Sequence, residues 1–123
     1  MAAGVKAAIV LVTAGAEKQA NRLARVLVDE GLAACVNIIG PIRSVYVWRD
    51  AVEEEPEYLL LIKTRASLYA RVERRVKELH SYEVPEVLAV SPSLGSRRYL
   101  RWLADSTARA SRPRPGGRAK VAQ

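Results

Sequence analysis

The sequence predicts a single α+β domain with the element order β-α-β-β-α-β and one more helix at its C-terminal end. Three observations predict it. An apolar stretch at residues 5–13 precedes a helical pattern at residues 17–30. Two extended, mostly apolar stretches then follow, separated by a short polar turn at residues 49–51. A second helical pattern, a short strand and a third helical pattern complete the order, and 123 residues suit one hydrophobic core.

The first strand is expected at residues 5–13, a near-continuous apolar run bounded by Gly4 and Gly15. Such runs, rich in β-branched residues, are typical of a central strand that is covered on both faces. The helix that follows has apolar residues at helical spacing, namely Ala20, Leu23, Ala24, Leu27 and Val28. Gly31 stands where this helix should end, because glycine adopts the backbone conformation that closes a helix.

The central part of the chain predicts a long β-hairpin. Residues 33–39 and 42–48 form its first arm, interrupted at Gly40-Pro41 by a bulge or sharp bend. Residues 52–63 form the returning arm. Each arm is about twice the usual five to six residues of a strand. The hairpin should therefore extend beyond the rest of the sheet.

Apolar side chains occupy both faces of the first hairpin arm. Ile42, Tyr46 and Trp48 share one face, and Val45 and Val47 share the other. Two helices can cover only one face of a four-stranded sheet, so a second apolar face predicts contact with other copies of the chain. The alternative is a monomer whose third helix covers that face.

The second half of the chain completes the predicted fold. A helix should start after Thr64 or Ser67 and end near His80, with an inner stripe formed by Leu68, Val72, Val76 and Leu79. A short strand at residues 87–90 and a helix at residues 96–106 follow. This order is that of the ferredoxin-like split βαβ module.

The composition favours a globular protein with a basic tail. We expect one domain at residues 1–106 and a disordered basic tail at residues 107–123. The formal net charge is +7, and five cations belong to that tail: Arg109, Arg112, Arg114, Arg118 and Lys120. The tail could touch nucleic acid without specificity, and no motif predicts a specific nucleic-acid site.

Several function classes are excluded or disfavoured by composition. No run approaches the roughly 18 apolar residues of a membrane-spanning helix, so no membrane partner is expected. Cys35 is the single cysteine, which rules out an internal disulfide and favours a reducing compartment, the cytoplasm. No phosphate-binding glycine motif occurs. With one histidine and no visible activating partner, we expect no enzyme.

One segment gathers the side chains that are most able to bind a ligand. His80, Tyr82, Glu83 and Glu86 lie within seven positions, around Pro85. His80 with Glu83 or Glu86 supplies nitrogen and oxygen ligands that suit Cu²⁺ or Zn²⁺. The alternative is structural: His80 caps the preceding helix, and the two carboxylates shape the turn. Sequence alone leaves both open.

Two further features have a structural and a functional reading. Cys35 lies within a strand, where a free cysteine usually acts as a small buried hydrophobe, although a reactive thiol is the other reading. Glu53, Glu54, Glu55 and Glu57 lie near the hairpin tip. This run is typical of a solvated edge that discourages aggregation, and its alternative role is to attract divalent cations.

Four segments resemble the CutA family of divalent-cation-tolerance proteins. They are LAACVNIIGPIRSVYVWRD, EEEPEYLLLIKT, VKELHSYEVPEVLAV and YLRWLADS, and the likeness covers residues 5–106. The resemblance implies a ferredoxin-like fold and a compact homotrimer. In such a trimer the long hairpins pack against neighbouring subunits, in a build similar to that of the nitrogen-regulatory PII proteins.

The resemblance also implies site residues and a metal. The family-typical residues present are Cys35, Trp48, Lys63, His80, Tyr82, Glu83, Pro85 and Glu86, with an expected cleft at a subunit boundary. Some family members bind copper through a cysteine late in the first strand and two adjacent histidines that end the second helix. This chain has Val12 and Leu79 at two of those positions and keeps only His80.

Two functional hypotheses follow. The leading one is a homotrimeric protein that binds a metal ion or small ligand and is linked to divalent cation, in particular copper, tolerance. It takes His80 and Glu83 as candidate metal contacts, and Cu²⁺ or another divalent cation as candidate cofactor. Its ligand cleft contains Cys35, Trp48, Lys63, Tyr82 and Glu86. The alternative is a trimeric interaction or signalling module that acts on a protein partner without metal.

Overall fold

The computed structural model describes residues 4–111 and has the predicted order of elements. Two short 3₁₀ turns, Ala66–Leu68 and Ala108–Ser111, accompany the main elements. The main elements are β1 (Ala7–Ala14), α1 (Glu17–Asp29), β2 (Cys35–Trp48), β3 (Ala51–Arg65), α2 (Tyr69–Leu79), β4 (Leu88–Val90) and α3 (Arg97–Ser106). The ferredoxin-like α+β fold is confirmed. None of the helices in this part of the chain is long and apolar enough to cross a membrane.

The four strands form one antiparallel sheet with the order β2-β3-β1-β4. On β1, and on β3 from Leu60 to Thr64, every second residue is buried, and paired residues such as Val10 and Ile62 share a face. That face and α1 and α2 enclose the core, which includes Val12, Leu23, Leu27, Leu60, Val72 and Val76. The other face of β1 is only half-buried within the chain, whereas the sequence predicts burial on both faces.

Local chemistry explains where the helices begin and end. The chain turns away from α1 at Gly31, two residues after the helix ends, and the φ of +73° at Gly31 lies in the left-handed region that favours glycine. α3 begins after Ser96, whose hydroxyl accepts a hydrogen bond from the backbone N–H of Tyr99 at 3.3 Å. The predicted boundaries of all three helices hold to within a few residues.

The hairpin extends beyond the sheet as predicted. β1 pairs with β3 only as far as Ala14 opposite Tyr58, whereas β2 and β3 continue alone to Trp48 opposite Ala51. The register shifts between Ile39 and Ile42, which confirms the irregularity expected at Gly40-Pro41. Arg49 and Asp50 have φ values of 52° and 67°, so these two residues form the tight turn at the tip.

The overhang leaves apolar side chains in contact with solvent. Val45, Val47 and Val52 are 63%, 70% and 74% exposed. α3 packs against β3 and buries Leu103. It nevertheless leaves 45% of Ile39, 60% of Leu88 and 50% of Val90 exposed, so it covers the open face of the sheet only in part.

The predicted domain boundary after residue 106 stays a prediction, and the described residues continue past it. Thr107 is fully buried, and its carbonyl accepts a hydrogen bond from Arg65 at 2.8 Å. Arg109 donates to the carbonyls of Val28 and Asp29 at the end of α1. The sequence predicted that the charges of the tail are solvated. Instead, Arg109 binds carbonyls at the end of α1 and Arg65 binds one at the end of α3, where backbone carbonyls have no partner within the helix. Residues 107–111 therefore pack against the rest of the fold, and the remainder of the expected tail, 112–123, lies outside the described residues.

Candidate functional site

An open cleft of about 800 Å³ separates the hairpin overhang from the loop after α2. One wall is the end of β2, and the other is formed by residues of the 81–86 loop together with the end of β1. The residues lining it are Thr13, Ser44, Val45, Tyr46, Val47, Trp48, Glu57, Ser81, Tyr82, Glu83, Val84 and Glu86. The cleft thus contains four of the residues expected at a ligand site: Trp48, Tyr82, Glu83 and Glu86.

His80 holds the loop in place. It is 9% exposed, and its Nδ1 accepts a hydrogen bond from the backbone N–H of Tyr82 at 3.1 Å. Nε2 therefore carries the hydrogen and donates to the carbonyl oxygen of Thr13 at 2.7 Å. Both nitrogens are occupied, so a metal could bind the ring only by displacing one of these bonds. His80 thus bonds to a carbonyl of β1, whereas the structural alternative in the sequence analysis expected it to cap the end of α2.

Tyr82 reaches across the base of the cleft to a buried carboxylate. Its hydroxyl donates to Oε2 of Glu57 at 2.6 Å, and Glu57 is only 7% exposed. Burial and the adjacent Glu57 raise the pKa of Tyr82, so that Tyr82 remains a neutral donor. Gly15 permits this approach, because a Cβ there would lie 2.8 Å from the Tyr82 hydroxyl.

Glu57 is the site residue that the sequence analysis missed, since it belongs to a run of glutamates that reads as a solvated edge. The negative charge of Glu57 contributes to the pKa of a neighbouring carboxyl group. Burial, followed by the charge of Glu57, raises the pKa of Glu86 above its ordinary value. The charge of Glu57 thus adds to burial in disfavouring the ionised form of Glu86.

A single arginine connects the hairpin tip to the loop. Arg49 Nη2 lies 3.1 Å from Oε1 of Glu83, and the guanidinium carbon lies 5.2 Å from the centroid of the Trp48 ring. The side chains of Arg49 and Glu83 are 73% and 67% exposed, so this ion pair adds less than about 1 kcal/mol. This ion pair therefore holds the hairpin tip against the 81–86 loop only weakly.

Cys35 and Lys63 lie outside the cleft of their own chain. They are directly opposite each other in the β2-β3 ladder, at the end remote from the hairpin tip. Lys63 donates to the Oδ1 atom of Asn37, and the Cys35 sulfur lies 3.9 Å from the same oxygen. Within residues 4–111, no group of three or more His, Cys, Asp or Glu side chains is arranged to hold a metal ion.

A family model described as CutA1 divalent ion tolerance protein matches residues 8–106. The chain belongs to this family. Its match covers both walls of the cleft, from the end of β1 through the hairpin to the loop after α2.

Several curated CutA relatives share more than 40% of the aligned residues. The divalent-cation tolerance protein CutA of Thermus thermophilus is 44% identical over 99 residues, which is 80% of this chain and 96% of that protein. The chloroplastic CutA 1 of rice is 45% identical over 103 residues, or 84% of this chain and 58% of that protein. Human CutA is 43% identical over 78% of this chain and 54% of its own length. The chain thus spans little more than half of these plant and animal relatives.

Solved CutA1 structures have the same fold. The Thermus thermophilus Cut A1 structure aligns with a TM-score of 0.80 at 44% identity and covers 82% of this chain and 98% of its own. Rice CutA1 aligns with a TM-score of 0.82 at 45% identity and covers 84% and 94%.

Val12 and Leu79, at two positions where the sequence resemblance implied copper ligands in some family members, are apolar. Val12 is fully buried in the core, and Leu79 is half-buried against it. Neither side chain offers a metal ligand. A copper site made from those positions would have His80 alone, and both of its nitrogens are already hydrogen-bonded.

Proposed function

We propose that this CutA1-family chain forms a homotrimer that binds a divalent cation or small ligand in the cleft beside the hairpin tip. The observation that carries the proposal is the cleft itself. It brings the aromatic rings of Trp48 and Tyr82 together with the carboxylates of Glu57, Glu83 and Glu86. Carboxylate oxygens are hard ligands for divalent cations.

The apolar surface of the overhang supports assembly with other copies. Val45, Val47 and Val52 share one face of the hairpin, since Val47 pairs with Val52, and Val45 lies two residues from Val47 on the same strand. Val45 and Val47 also border the cleft, so the proposed interface and the proposed ligand site adjoin each other. Exposed apolar surface of this kind usually marks an interface. Every copy of the chain exposes the same apolar surface, so contact between copies would bury these surfaces together. Cyclic symmetry closes such an assembly.

The residues have different roles in this proposal. Glu83 and Glu86 contact the cation, and His80 keeps the 81–86 loop against β1 instead of acting as a ligand. Trp48 and Tyr82 form the aromatic walls. Cys35 and Lys63 stay outside the cleft.

The role is binding, without catalysis, and its place is the cytoplasm. The one imidazole in the sequence, His80, uses both nitrogens in hydrogen bonds, which leaves no imidazole as a general base. Cys35 is a free thiol in a chain with no second cysteine, which suits a reducing compartment.

Assembly and binding can be tested together. Val47→Glu places a charge within the exposed valine face, so it should reduce the particle mass measured by light scattering to that of one chain. Asn21→Glu adds the same charge on the exposed outer side of α1 and should leave the mass unchanged. A wild-type mass of one chain contradicts the proposal.

A calorimetric titration with Cu²⁺ tests the cation half. Glu83→Gln should weaken binding about tenfold or more, because a neutral amide is a poor ligand for Cu²⁺. Glu54→Gln, on the opposite face of the hairpin tip, should leave the heats unchanged. His80→Asn should keep the stoichiometry and lower the free energy of unfolding. Loss of the heats in His80→Asn with full retention in Glu83→Gln would refute the assigned roles.

A further inference from the structure

The lining of the cleft has a chemical character that a metal ion does not explain. Tyr46, Trp48 and Tyr82 contribute aromatic rings, while the carboxylates come from Glu57 and its neighbours in the loop. Among the described residues that line the cleft there is no lysine, arginine or histidine. Aromatic faces do not ligate divalent cations, but they attract organic cations through the negative charge of the ring face.

The cleft is electronegative at its base. Burial raises the pKa of Tyr46, and the charges of Glu55, Glu53 and Glu57 raise it further. Burial also raises the pKa of Glu86, and the charge of Glu57 raises it further. Carboxylates therefore lie on both walls, with Glu57 on the hairpin and Glu83 and Glu86 on the loop.

Glu57 keeps one carboxylate oxygen for a ligand. Among residues 4–111, its hydrogen bond comes from Tyr82 alone and is accepted by Oε2. Oε1 accepts no hydrogen bond from the described residues, and because none of their buried side-chain oxygens lacks a partner, this atom is open to the solvent of the cleft. A carboxylate oxygen of a residue that is only 7% exposed gains most from a donor that also carries positive charge.

Arg49 shows which kind of group fits the outer part of the cleft. Its guanidinium lies over the Trp48 ring at 5.2 Å and bonds to Glu83 at 3.1 Å. The chain thus already holds a guanidinium between an aromatic face and a carboxylate. Because Arg49 is 73% exposed and sits on the two-residue tip, a ligand could displace it at little cost.

We propose that the cleft binds a free, small organic cation carrying an alkylguanidinium or alkylammonium group, with Arg49 as an internal competitor for its outer end. Trp48 and Tyr82 pack against the cation and its alkyl chain, and Glu57 and Glu83 accept its hydrogen bonds. The volume of about 800 Å³ matches a small-molecule site. This inference rests on the proposed ligand-binding function and names the ligand class.

The test uses the full chain in its native oligomeric state and a matched pair of probes. Butylguanidine carries the cation, and butylurea is its neutral isostere. The sequence has two tryptophans, so a Trp102→Phe background leaves Trp48 as the fluorescent reporter of the cleft. We expect saturable quenching by butylguanidine and none by butylurea at the same concentrations and ionic strength.

Variants separate the competitor from general charge effects. Arg49→Ala should tighten butylguanidine binding about three- to tenfold, since an exposed ion pair and a cation–π contact no longer compete. Arg43→Ala is the matched control, because Arg43 pairs with Glu54 on the opposite face of the same hairpin at 3.1 Å. It should change nothing. In the Arg49→Ala background, Glu83→Gln should weaken binding several-fold.

Equal binding of the two probes, or no gain in Arg49→Ala, overturns the inference. A blocked Gly-Arg-Gly peptide that binds more tightly than butylguanidine overturns the assignment to a free small molecule. A trimer that binds Cu²⁺ but not butylguanidine leaves the proposed function standing and refutes this inference. A single-chain mass with no response to either probe refutes both.

Discussion

The hydrogen bond between Tyr82 and Glu57 should contribute measurably to stability. Tyr82→Phe removes one oxygen and leaves the carboxylate of Glu57 buried without its donor. A hydrogen bond to a charged group is worth about 1.5–3 kcal/mol. The bond is short, at 2.6 Å, but the Tyr82 ring is still 37% exposed. We therefore expect a loss near the lower end, about 1.5–2 kcal/mol.

Urea denaturation at one fixed protein concentration measures this loss. The concentration must be fixed, because assembly contributes to apparent stability. Tyr99→Phe removes the hydroxyl of an exposed tyrosine on α3 and should change the free energy of unfolding by about 0.5 kcal/mol or less. A double-mutant cycle with Glu57→Gln should give a coupling energy of about 1 kcal/mol. If Tyr82→Phe costs no more than Tyr99→Phe, the structural role assigned to this bond is wrong.

Three further substitutions test the fold and its electrostatics. Thr64→Val removes the buried hydroxyl that donates to the carbonyl of Leu32 at 2.7 Å, so it should cost about 1–3 kcal/mol in urea denaturation. Gly40→Ala places a Cβ 2.5 Å from the Tyr58 ring, and thermal unfolding should show a loss of about 1–3 kcal/mol from overpacking. Glu86→Gln should stabilise the protein at pH 7. Folding raises the pKa of Glu86 above 4.5, so the ionised carboxylate present at pH 7 is less favourable in the folded state than in the unfolded state, and the neutral amide removes this cost. The difference from wild type should vanish below about pH 4.5, where both side chains are neutral, and a variant less stable at pH 7 would contradict the sign.

Patterns that repeat within one element predicted the fold well. Apolar spacing located the three helices, and alternation along residues 42–48 predicted a hairpin with two apolar faces. Gly40-Pro41 marked the irregularity between the paired residues Ile39 and Ile42. Each of these signals depends on residues close in sequence, so a single chain shows them directly.

Contacts between distant residues were harder to predict. His80 bonds to Thr13 across 67 positions, and Tyr82 bonds to Glu57 across 25. No periodicity links such pairs, so His80 read as a candidate ligand and Glu57 as a solvated charge. Trp48, Glu83 and Glu86 line one cleft, whereas Cys35 and Lys63, which are equally typical of the family, lie outside the cleft of their own chain.

The end of the domain shows a second limit of sequence patterns. The cations after residue 106, of which Arg109 is the first, suggested a disordered basic tail. In the structure, Arg65 and Arg109 bind backbone carbonyls, and Thr107 is fully buried. Side-chain hydrogen bonds to carbonyls at helix ends depend on the geometry of the fold, which composition does not reveal.

The mass of the wild-type protein in solution tests the central claim most directly. The claim is that the valine face of the hairpin and the open face of the sheet are buried between copies of the chain. Size exclusion coupled to light scattering should give the mass of three chains of 13.5 kDa, about 40 kDa. A mass of 13.5 kDa at the same concentration would contradict it.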